Sequence, residues 1–437
     1  MPYLKVEMMR IKNILIVALL VSFVDAKTHI LKIDDIVEIA LKNSPDIDIS
    51  RLDFKSAKER TKISKGFYLP KVDLNLNVGE GYTKISSQPS FNSNILIGSL
   101  GASQLLYDFG RTSNLIYSST QEELALESKM QQSISDKIFF VKNIYYEILK
   151  SKNIIIVQEK NVKLQKQQLN RAKKYLASGI KTIIDVSDAQ VNVEQSILDL
   201  QNAKYQLEIK RAKLEEAIGL VPYGGKYKIY SPELNIENLS YKLPEVNRSL
   251  HSLEYYAYEH RYALDSSKYY LKSAKSNIEI SKSDYYPTIS LRGDYTAQDV
   301  DEKIAIATPK SQGSLSVNIK WNLFSGYQTD ASVQEAKIGM LKASSSLNSI
   351  KLLIKREVLE AFIYLRQSRD NVNLTQSISK SSLKKFEQAQ KRYENELSDY
   401  VELQDAQQGY IKSLSNWVNS YYDYFISLAQ LDHSIGK

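Results

Sequence analysis

Cysteine is absent from this chain of 437 residues. The protein therefore has no disulfide framework, no thiolate metal site and no cysteine that could carry a lipid after export. Proline and glycine are scarce, with 9 and 16 residues. Because these two residues mark turns, their scarcity favours long uninterrupted helices over a sheet protein rich in turns.

Histidine is rare as well, and its four residues lie far apart in the sequence, at His29, His251, His260 and His433. The sequence contains no HExxH, no glycine-rich phosphate loop and no GxSxG motif. We therefore expect that the protein is not an enzyme and has no catalytic, cofactor-binding or metal-binding residues.

The formal net charge of +8 is modest. Lys and Arg alternate with Glu, Gln and Ser along the predicted helices and do not gather into one stripe. This pattern indicates solvated helix faces and gives no reason to expect a nucleic-acid partner.

The N-terminus has the pattern of a secretory signal peptide. Arg10 and Lys12 precede the apolar run ILIVALLVSFV, and the small or short residues of VDA end at Ala26. The run is too short for a comfortable transmembrane helix, and the polar KTH follows it. We therefore expect cleavage before Lys27. The exported protein would then be soluble outside the cytoplasm or enter a membrane as strands.

The sequence also contains a duplication. Asp-Ala-Gln occurs at Asp188 and again at Asp405, and an acidic residue stands three positions earlier each time, at Asp185 and Glu402. The offset in numbering, 405 − 188 = 217, is close to half the chain. The same offset relates three further pairs of landmarks, Ala40 and Ala257, Pro70 and Pro287, and Leu176 and Tyr393.

The duplication sets the predicted domain order. Residues 1–26 form the signal peptide, 27–220 the first repeat, 221–245 a linker rich in Pro, Gly and Tyr, and 246–437 the second repeat. Gly110 and Gly326 are separated by one position less than the common offset, which we interpret as a single-residue slip in the loops between the landmarks.

Each copy changes its hydrophobic period in the same order. A helix predicted over 34–69 ends before Pro70, because proline has no N–H to donate. Alternating apolar and polar residues then predict four strands, near 70–80, 95–107, 287–298 and 312–323. Such strands suit a barrel in an outer membrane, although strands of this kind taken alone would also fit a half-buried sheet in a soluble domain. Four strands cannot close a barrel and lipid tolerates no open edge, so several chains would have to share one barrel.

A very long helical stretch without proline follows the second strand of each copy, over 111–176 and 327–394. Apolar residues recur every seventh position there and in the return helices, which indicates paired, supercoiled helices. The segments ASGIKT (177–182) and ENELSD (394–399) break the long helices, so each is expected to double back as an antiparallel hairpin. The heptad positions are Ile148, Ile155, Val162, Leu169 and Leu176, then Val186, Val193, Leu200, Leu207 and Leu214, and in the second copy Leu403, Tyr410, Trp417, Tyr424 and Leu431.

This order of elements, repeated twice and carrying YLPKVDLNL, LLYDFGR and SGIKTIIDVSDAQ, resembles the TolC family of outer-membrane efflux proteins. The resemblance runs from about Ile30 to Gly436. It implies a mainly α fold with a membrane β-barrel. Long antiparallel coiled-coil hairpins would form a trimeric α-barrel, and four strands per chain would contribute to a shared twelve-stranded β-barrel.

The resemblance also implies a function. The protein would be a homotrimeric channel-tunnel in the outer membrane of a Gram-negative bacterium, with a large periplasmic portion. It would export small molecules, proteins or both, from the periplasm or directly from an inner-membrane pump, as in efflux and type I secretion. Its partners would be outer-membrane lipid, a periplasmic adaptor protein and the pump. An exported coiled-coil scaffold or adhesin without channel activity is the alternative.

Residues near the hairpin turns receive roles from the resemblance. Glu402 and Asp405 match acidic residues that narrow the periplasmic entrance in the family, and a ring of like charges favours cations. Asp188 is a weaker candidate for this gate, because an acidic residue near a helix N-terminus also interacts favourably with the helix dipole. Asp185 and Tyr393 match two residues of a lock between the hairpins that holds the entrance shut.

Two positions depart from the family pattern. The arginine of the lock is replaced by Ser398, so the lock is expected to be weaker or built differently. The usual turn glycine is present as Gly179 but is Glu396 in the second copy, so the second turn must tolerate a side chain.

Overall fold

The structure is a computed structural model that describes residues 30–84, 91–225, 227–231, 234–300 and 310–437. The predicted signal peptide and its cleavage site lie outside these residues. None of the described helices combines the length and the hydrophobicity needed to cross a membrane.

Helices dominate the described chain, and long strands lie between them. The helices are α1 (Ile33–Asn43), α2 (Pro45–Gly66), α3 (Arg111–Ala177), α4 (Ile183–Ala217), α5 (Leu250–His260), α6 (Tyr262–Lys282), α7 (Gln328–Glu394) and α8 (Tyr400–Ser434). The long strands are β2 (Lys71–Thr83), β3 (Phe91–Tyr107), β7 (Thr288–Val300) and β8 (Ser311–Lys320). Two-residue strands complete the fold: β1 (Ile30–Leu31), β4 (Lys228–Ile229), β5 (Leu234–Asn235) and β6 (Ser240–Tyr241).

The helix bounds confirm the duplication. The start of α7 and the start of α3 differ by the common offset, 328 − 111 = 217. The starts of α8 and α4 differ by the same offset, 400 − 183 = 217. The predicted long helices are also confirmed, to within a residue at either end.

The turn before each long helix corrects the interpretation of a single-residue slip. Phe109 and Gly110 have positive φ values of 53° and 89°, and Gly326 and Tyr327 have values of 62° and 66°. The two left-handed pairs are related by the common offset, 326 − 109 = 217. The turn therefore keeps the offset, and only the glycine has moved from its second to its first position.

The single helix predicted over 34–69 is wrong, because the chain breaks at Ser44 and the second helix ends at Gly66. Ser44 is extended (φ −69°, ψ 121°), as expected for a residue that precedes a proline, here Pro45. The second copy breaks at Arg261, which is also extended (φ −79°, ψ 112°) although no proline follows. Because 261 − 44 = 217, the break belongs to the repeat and proline is only one way to make it.

The four long strands form one antiparallel sheet in the order β2-β3-β7-β8. Its register places mainly apolar side chains on one face, with Glu80, Asn94, Gln104 and Asp299 as polar exceptions, and mainly polar ones on the other. The apolar face carries Val72, Leu74, Leu76, Val78, Leu96, Leu100, Leu291, Leu315, Val317 and Ile319. The opposite face carries Lys71, Asp73, Asn75, Ser99, Ser103, Arg292, Asp294, Ser314 and Asn318, with Ile95, Ile97 and Leu105 as apolar exceptions.

The last strand is shorter than predicted, since β8 ends at Lys320 and not at residue 323. Lys320 pairs with Thr288, the first residue of β7. Pro287 precedes Thr288 and has no N–H to donate, so the ladder of hydrogen bonds stops there.

The described residues pack as two compact units, and each takes segments from both repeats. The first unit comprises the described parts of residues 1–47, 134–260 and 355–437, and the second those of 48–133 and 261–354. The predicted domain boundaries follow the repeats in the sequence and stay a prediction.

The predicted seam in the first unit is confirmed most fully on α8. Its five heptad residues, Leu403, Tyr410, Trp417, Tyr424 and Leu431, are each no more than 2% exposed. On α7, Leu365, Val372 and Phe386 are buried at the same spacing. In the first hairpin Ile148, Val162, Val193, Leu207 and Leu214 are buried, whereas the other heptad residues are half-buried.

An ion-pair network ties three helices of this unit together. Glu147 on α3 accepts hydrogen bonds from Lys150 (3.0 Å) and from Lys210 on α4 (2.7 Å). Lys150 also donates to Asp423 on α8, at 2.9 Å. Burial alone would raise the pKa of Glu147, but the hydrogen bonds from both lysines outweigh it and lower that pKa.

Glu147→Gln should lower the unfolding temperature near neutral pH and have a smaller effect in acid. Since the pKa of Glu147 is lowered in the folded protein, its carboxylate stabilises the fold above the unfolded pKa of roughly 4.3. That contribution disappears as the pH falls through the folded-state pKa. The loss of hydrogen bonds to a charged group predicts about 1–3 kcal/mol near pH 7.

Thermal unfolding followed by circular dichroism between about pH 7 and about pH 3 measures the effect. Glu159→Gln is the matched control, because Glu159 is an exposed carboxylate on the same helix without a described ion pair. An effect of Glu147→Gln that is equally large across this pH range would contradict the assignment.

Candidate functional site

The two hairpin turns have the same backbone conformation despite different residues. Gly179 has a φ of 71° in the first turn, and Glu396 has a φ of 59° in the second. The amide N–H groups of Ile180 and Leu397 close the turns by donating to the carbonyls of Tyr175 (2.9 Å) and Arg392 (2.8 Å). The second turn therefore tolerates a side chain in the left-handed region, as the sequence requires.

Asp185 caps the return helix of the first hairpin. Its Oδ2 accepts hydrogen bonds from the backbone N–H and the hydroxyl of Thr182, both at 2.9 Å. Burial opposes the shift, yet these bonds and the charge of Lys181 lower the pKa of Asp185. This carboxylate is thus ionised and directed at its own helix terminus.

The predicted gate residues lie on the first turns of α8. Asp399 caps this helix by accepting a bond from the Glu402 N–H at 2.8 Å. The Glu402 carboxylate pairs with Arg392, with 3.2 Å between Oε1 and Nε. Asp405 is exposed and has no ion pair or hydrogen bond within the described chain. Arg392 therefore offsets the charge of Glu402, while the charge of Asp405 stays uncompensated.

Asp188, the weaker gate candidate, is exposed and lies on the side of α4 near the second hairpin. Burial is the main cause that raises the pKa of Tyr400, and the charge of Asp188 adds to it. The Tyr400 hydroxyl accepts a hydrogen bond from Asn192 on α4, at 3.1 Å. The structure thus places Asp188 beside an inter-hairpin contact.

Tyr393 is enclosed at the end of α7. It is 1% exposed, its ring lies 5.8 Å from that of Tyr175, and the Nζ of Lys181 lies 5.5 Å from its ring centre. Burial, followed by the charge of Asp185, raises the pKa of the Tyr393 phenol to about 12.

The predicted lock residues Tyr393 and Asp185 form no hydrogen bond with each other. The Tyr393 hydroxyl has no hydrogen-bond partner within the described chain, and Asp185 is engaged by Thr182. In addition to burial, the charge of the Asp185 carboxylate still raises the pKa of the Tyr393 phenol. The role of the two residues as a lock stays a prediction. Ser398, at the position of the missing arginine, likewise has a buried hydroxyl without a described partner.

Another set of contacts joins the hairpins, and we call Arg171, Tyr175 and Glu394 the inter-hairpin clamp. Arg171 on α3 pairs with Glu394 at the end of α7, with 2.8 Å between Nη2 and Oε1. The Tyr175 hydroxyl is 3.5 Å from the carbonyl oxygen of Glu394. Sequence reasoning missed this clamp because the heptad pattern does not say which polar residues meet across two hairpins. Opposite charges near the ends of the two long helices were the available signal.

Comparison with known proteins places these features in context. The sequence profile of the family described as "Outer membrane efflux protein" matches residues 36–220 and 254–437. The chain is similar to the outer membrane protein TolC of Vibrio cholerae, with 23% identity over 419 residues that cover 92% of this chain and 90% of that protein.

Solved structures show the same fold. The chain resembles the Campylobacter jejuni CmeC outer membrane channel with a TM-score of 0.82 and 16% identity, covering 92% of this chain and 85% of that one. It resembles CusC with a TM-score of 0.80 and 17% identity, covering 92% of each chain. The predicted fold class, mainly α with a β-barrel portion, is confirmed.

Glu394→Gln should loosen the two hairpins at their turns. A partly exposed ion pair contributes about 0.2–1 kcal/mol, so the separated population should rise up to about fivefold. Because the chain has no cysteine, spin labels can be attached specifically at Lys174→Cys and Lys391→Cys, both exposed positions. In Glu394→Gln, double electron–electron resonance should show a distribution of distances between the two labels that is longer or broader than in the unsubstituted protein.

Glu387→Gln is the matched control for this experiment, since Glu387 is an exposed carboxylate on the same helix without a described partner. Its distance distribution should equal that of the unsubstituted protein. Identical distributions for Glu394→Gln and Glu387→Gln would show that the clamp does not hold the hairpins.

Proposed function

The chain belongs to the outer membrane efflux protein family, and we propose that three copies of it assemble into one channel-tunnel that exports small molecules, proteins or both. The observation that carries this proposal is the four-stranded sheet with one apolar face. In the described chain its outer strands, β2 and β8, each pair on one side only. Lipid tolerates no unpaired strand edge, so the edges must meet those of other copies. Three copies supply the twelve strands of one closed barrel.

The helical hairpins form the periplasmic portion in this proposal and contact an adaptor protein and an inner-membrane pump. Each turn exposes one apolar side chain at matching positions, Ile180 and Leu397. Exposed apolar residues at both turns are suited to a protein contact. An exported scaffold or adhesin without a channel would explain the hairpins but not the apolar face of the sheet.

The entrance lies at the hairpin turns and is lined by the acidic residues of α8. Glu402 and Asp405 are three residues apart and so share one face of the helix. In a trimer, three copies of this pair would surround the axis and favour cations. Because Arg392 offsets Glu402, Asp405 carries the larger part of this preference, and Asp188 contributes less. Ser398 occupies the position of the lock arginine, and the inter-hairpin clamp takes over the role of that arginine. Asp185 and Tyr393 are the other residues of the lock.

Gel migration of outer-membrane fractions tests the assembly. Without boiling the protein should run as a trimer, and boiling should convert it to the monomer. Leu315→Arg should abolish the trimer, because arginine on a lipid-facing strand position costs about 2–4 kcal/mol within the hydrocarbon region.

Ser314→Arg is the matched control, since Ser314 is the neighbour of Leu315 on the polar face of β8. Its trimer should persist. In a soluble sheet Leu315→Arg would be harmless, because Leu315 is 76% exposed in the single chain. Equal trimer yields for the two variants would therefore refute the membrane-facing assignment.

Single-channel recording in planar bilayers tests the entrance. Asp405→Ala should raise conductance and weaken cation preference, because the attraction between a carboxylate and a nearby cation, about 1–4 kcal/mol, holds cations at the entrance. Glu402→Ala should have a smaller effect on selectivity, since Arg392 already compensates this charge.

Glu387→Ala, on an exposed face of α7, controls for a general loss of negative charge. If Asp405→Ala leaves both conductance and reversal potential at the control values, the gate assignment fails.

A further inference from the structure

A cavity lined by amide side chains lies between α3, α4 and α8 in the first unit. Its volume is about 330 Å³. The amides come from all three helices and include Gln158, Asn161, Gln165, Asn192, Gln195 and Gln404. We call it the amide cavity.

Several of these amides are buried without a partner. Gln404 is 8% exposed, and neither its nitrogen nor its oxygen has a hydrogen-bond partner within the described chain. Gln165 is 3% exposed, and its Oε1 has none either. The Oε1 of Gln158 is also buried and has no hydrogen-bond partner within the described chain. Buried amides of this kind destabilise a protein unless something satisfies them.

Two further glutamines of the seam, Gln168 on α3 and Gln407 on α8, are also buried with unpartnered amide atoms, although they lie outside the cavity lining. Further along α8, away from the turn, the seam consists mainly of rings, with Tyr410, Trp417 and Tyr421 buried. The Nε1 of Trp417 also has no partner within the described chain. Methionine has nearly the shape of glutamine and would fill the same positions without unpaired groups. Buried amides therefore form a layer of the seam that includes the cavity and continues to Gln168 and Gln407, and this layer differs from the mainly aromatic part further along α8.

The chemistry of the cavity selects its occupant. Its amides offer donors and acceptors without net charge, and the lining contains one acidic residue, Asp199, and one basic residue, Lys412. Among the described residues no aromatic side chain lines the cavity, so a sugar ring would have no surface on which to stack. A polar cavity of this size accommodates several water molecules, each of which can both donate and accept.

We propose that the amide cavity is a hydration site whose water cluster lets α8 shift against α3 and α4 when the entrance opens. The hydration itself depends only on the buried amides, whereas the link to opening rests on the proposed channel function. Water-mediated bonds can exchange partners as helices move. Close-packed rings cannot, because displacement removes their contacts. When α8 shifts against α3 and α4, the displacement therefore occurs at the hydrated layer, and the aromatic contacts of the seam are retained.

The double variant Gln165→Met/Gln404→Met tests the hydration site. It removes the unpaired amides with little change of shape. High-resolution structures should show an ordered water cluster in the unsubstituted protein and its loss in the variant. The unfolding temperature of the variant should rise by about 2–4 °C.

Gln201→Met is the matched control, because Gln201 is an exposed residue of α4 outside the cavity lining. It should change neither quantity. A cavity that is dry in the unsubstituted protein, or a lower unfolding temperature in the double variant alone, would overturn the hydration site.

Planar bilayers test the link to opening. The double variant should open about tenfold less often than the unsubstituted protein, and Gln201→Met should open normally. Unchanged opening of the double variant would overturn the slip role while the hydration result stands. Absence of conductance in the unsubstituted protein would refute the proposed function instead, and the structural and thermal results would still decide the hydration site.

Discussion

A seam of buried side chains between long helices is the interaction on which each unit depends. Most of the stability of a helix in a protein comes from the packing of one buried face and not from helix propensity, and α3 and α7 each need such a face over 67 residues. The composition of the seam changes along the chain. In the second unit small hydroxyl groups meet, as in the 2.9 Å contact between Ser118 and Ser273. In the first unit the seam becomes aromatic at Trp417 and Tyr421, and it becomes polar near the turns.

The charged contacts near the turns differ from those that the family resemblance implies. Ser398 cannot carry the charge of the arginine that it replaces. The charged contacts lie elsewhere, between Arg171 and Glu394 and between Arg392 and Glu402. Both pairs are partly exposed, so each contributes modestly and is weakened by salt. Only the pair of Arg171 with Glu394 joins the two hairpins, whereas the pair of Arg392 with Glu402 lies within the second hairpin, so the charged contact between the hairpins at this end is weak.

The duplication shows that backbone conformation is retained where side chains differ. Gly179 and Glu396 occupy the same left-handed turn position, although only glycine adopts it without strain. Before the long helices the glycine moves from Gly110 to Gly326, yet the turn itself stays at the same offset. The elements on either side are longer than the turn and packed into the seam. They therefore determine its geometry, and the turn residues accept the local cost.

The sequence by itself determined the repeat, the bounds of the long helices, the two faces of the sheet and the heptad residues of α8. These features follow from the spacing of apolar residues along the chain and from the absence of proline. Neither signal depends on contacts between residues that are distant in sequence. Only the tertiary structure decided which side chains meet. It engages Asp185 with Thr182, leaves the Tyr393 hydroxyl without a partner within the described chain, and brings Arg171 of the first repeat to Glu394 of the second. It also assembles Gln165 and Gln404 into one cavity. A heptad pattern identifies the buried face of a helix, but the rotation and stagger of neighbouring helices come from packing, and these select each polar partner.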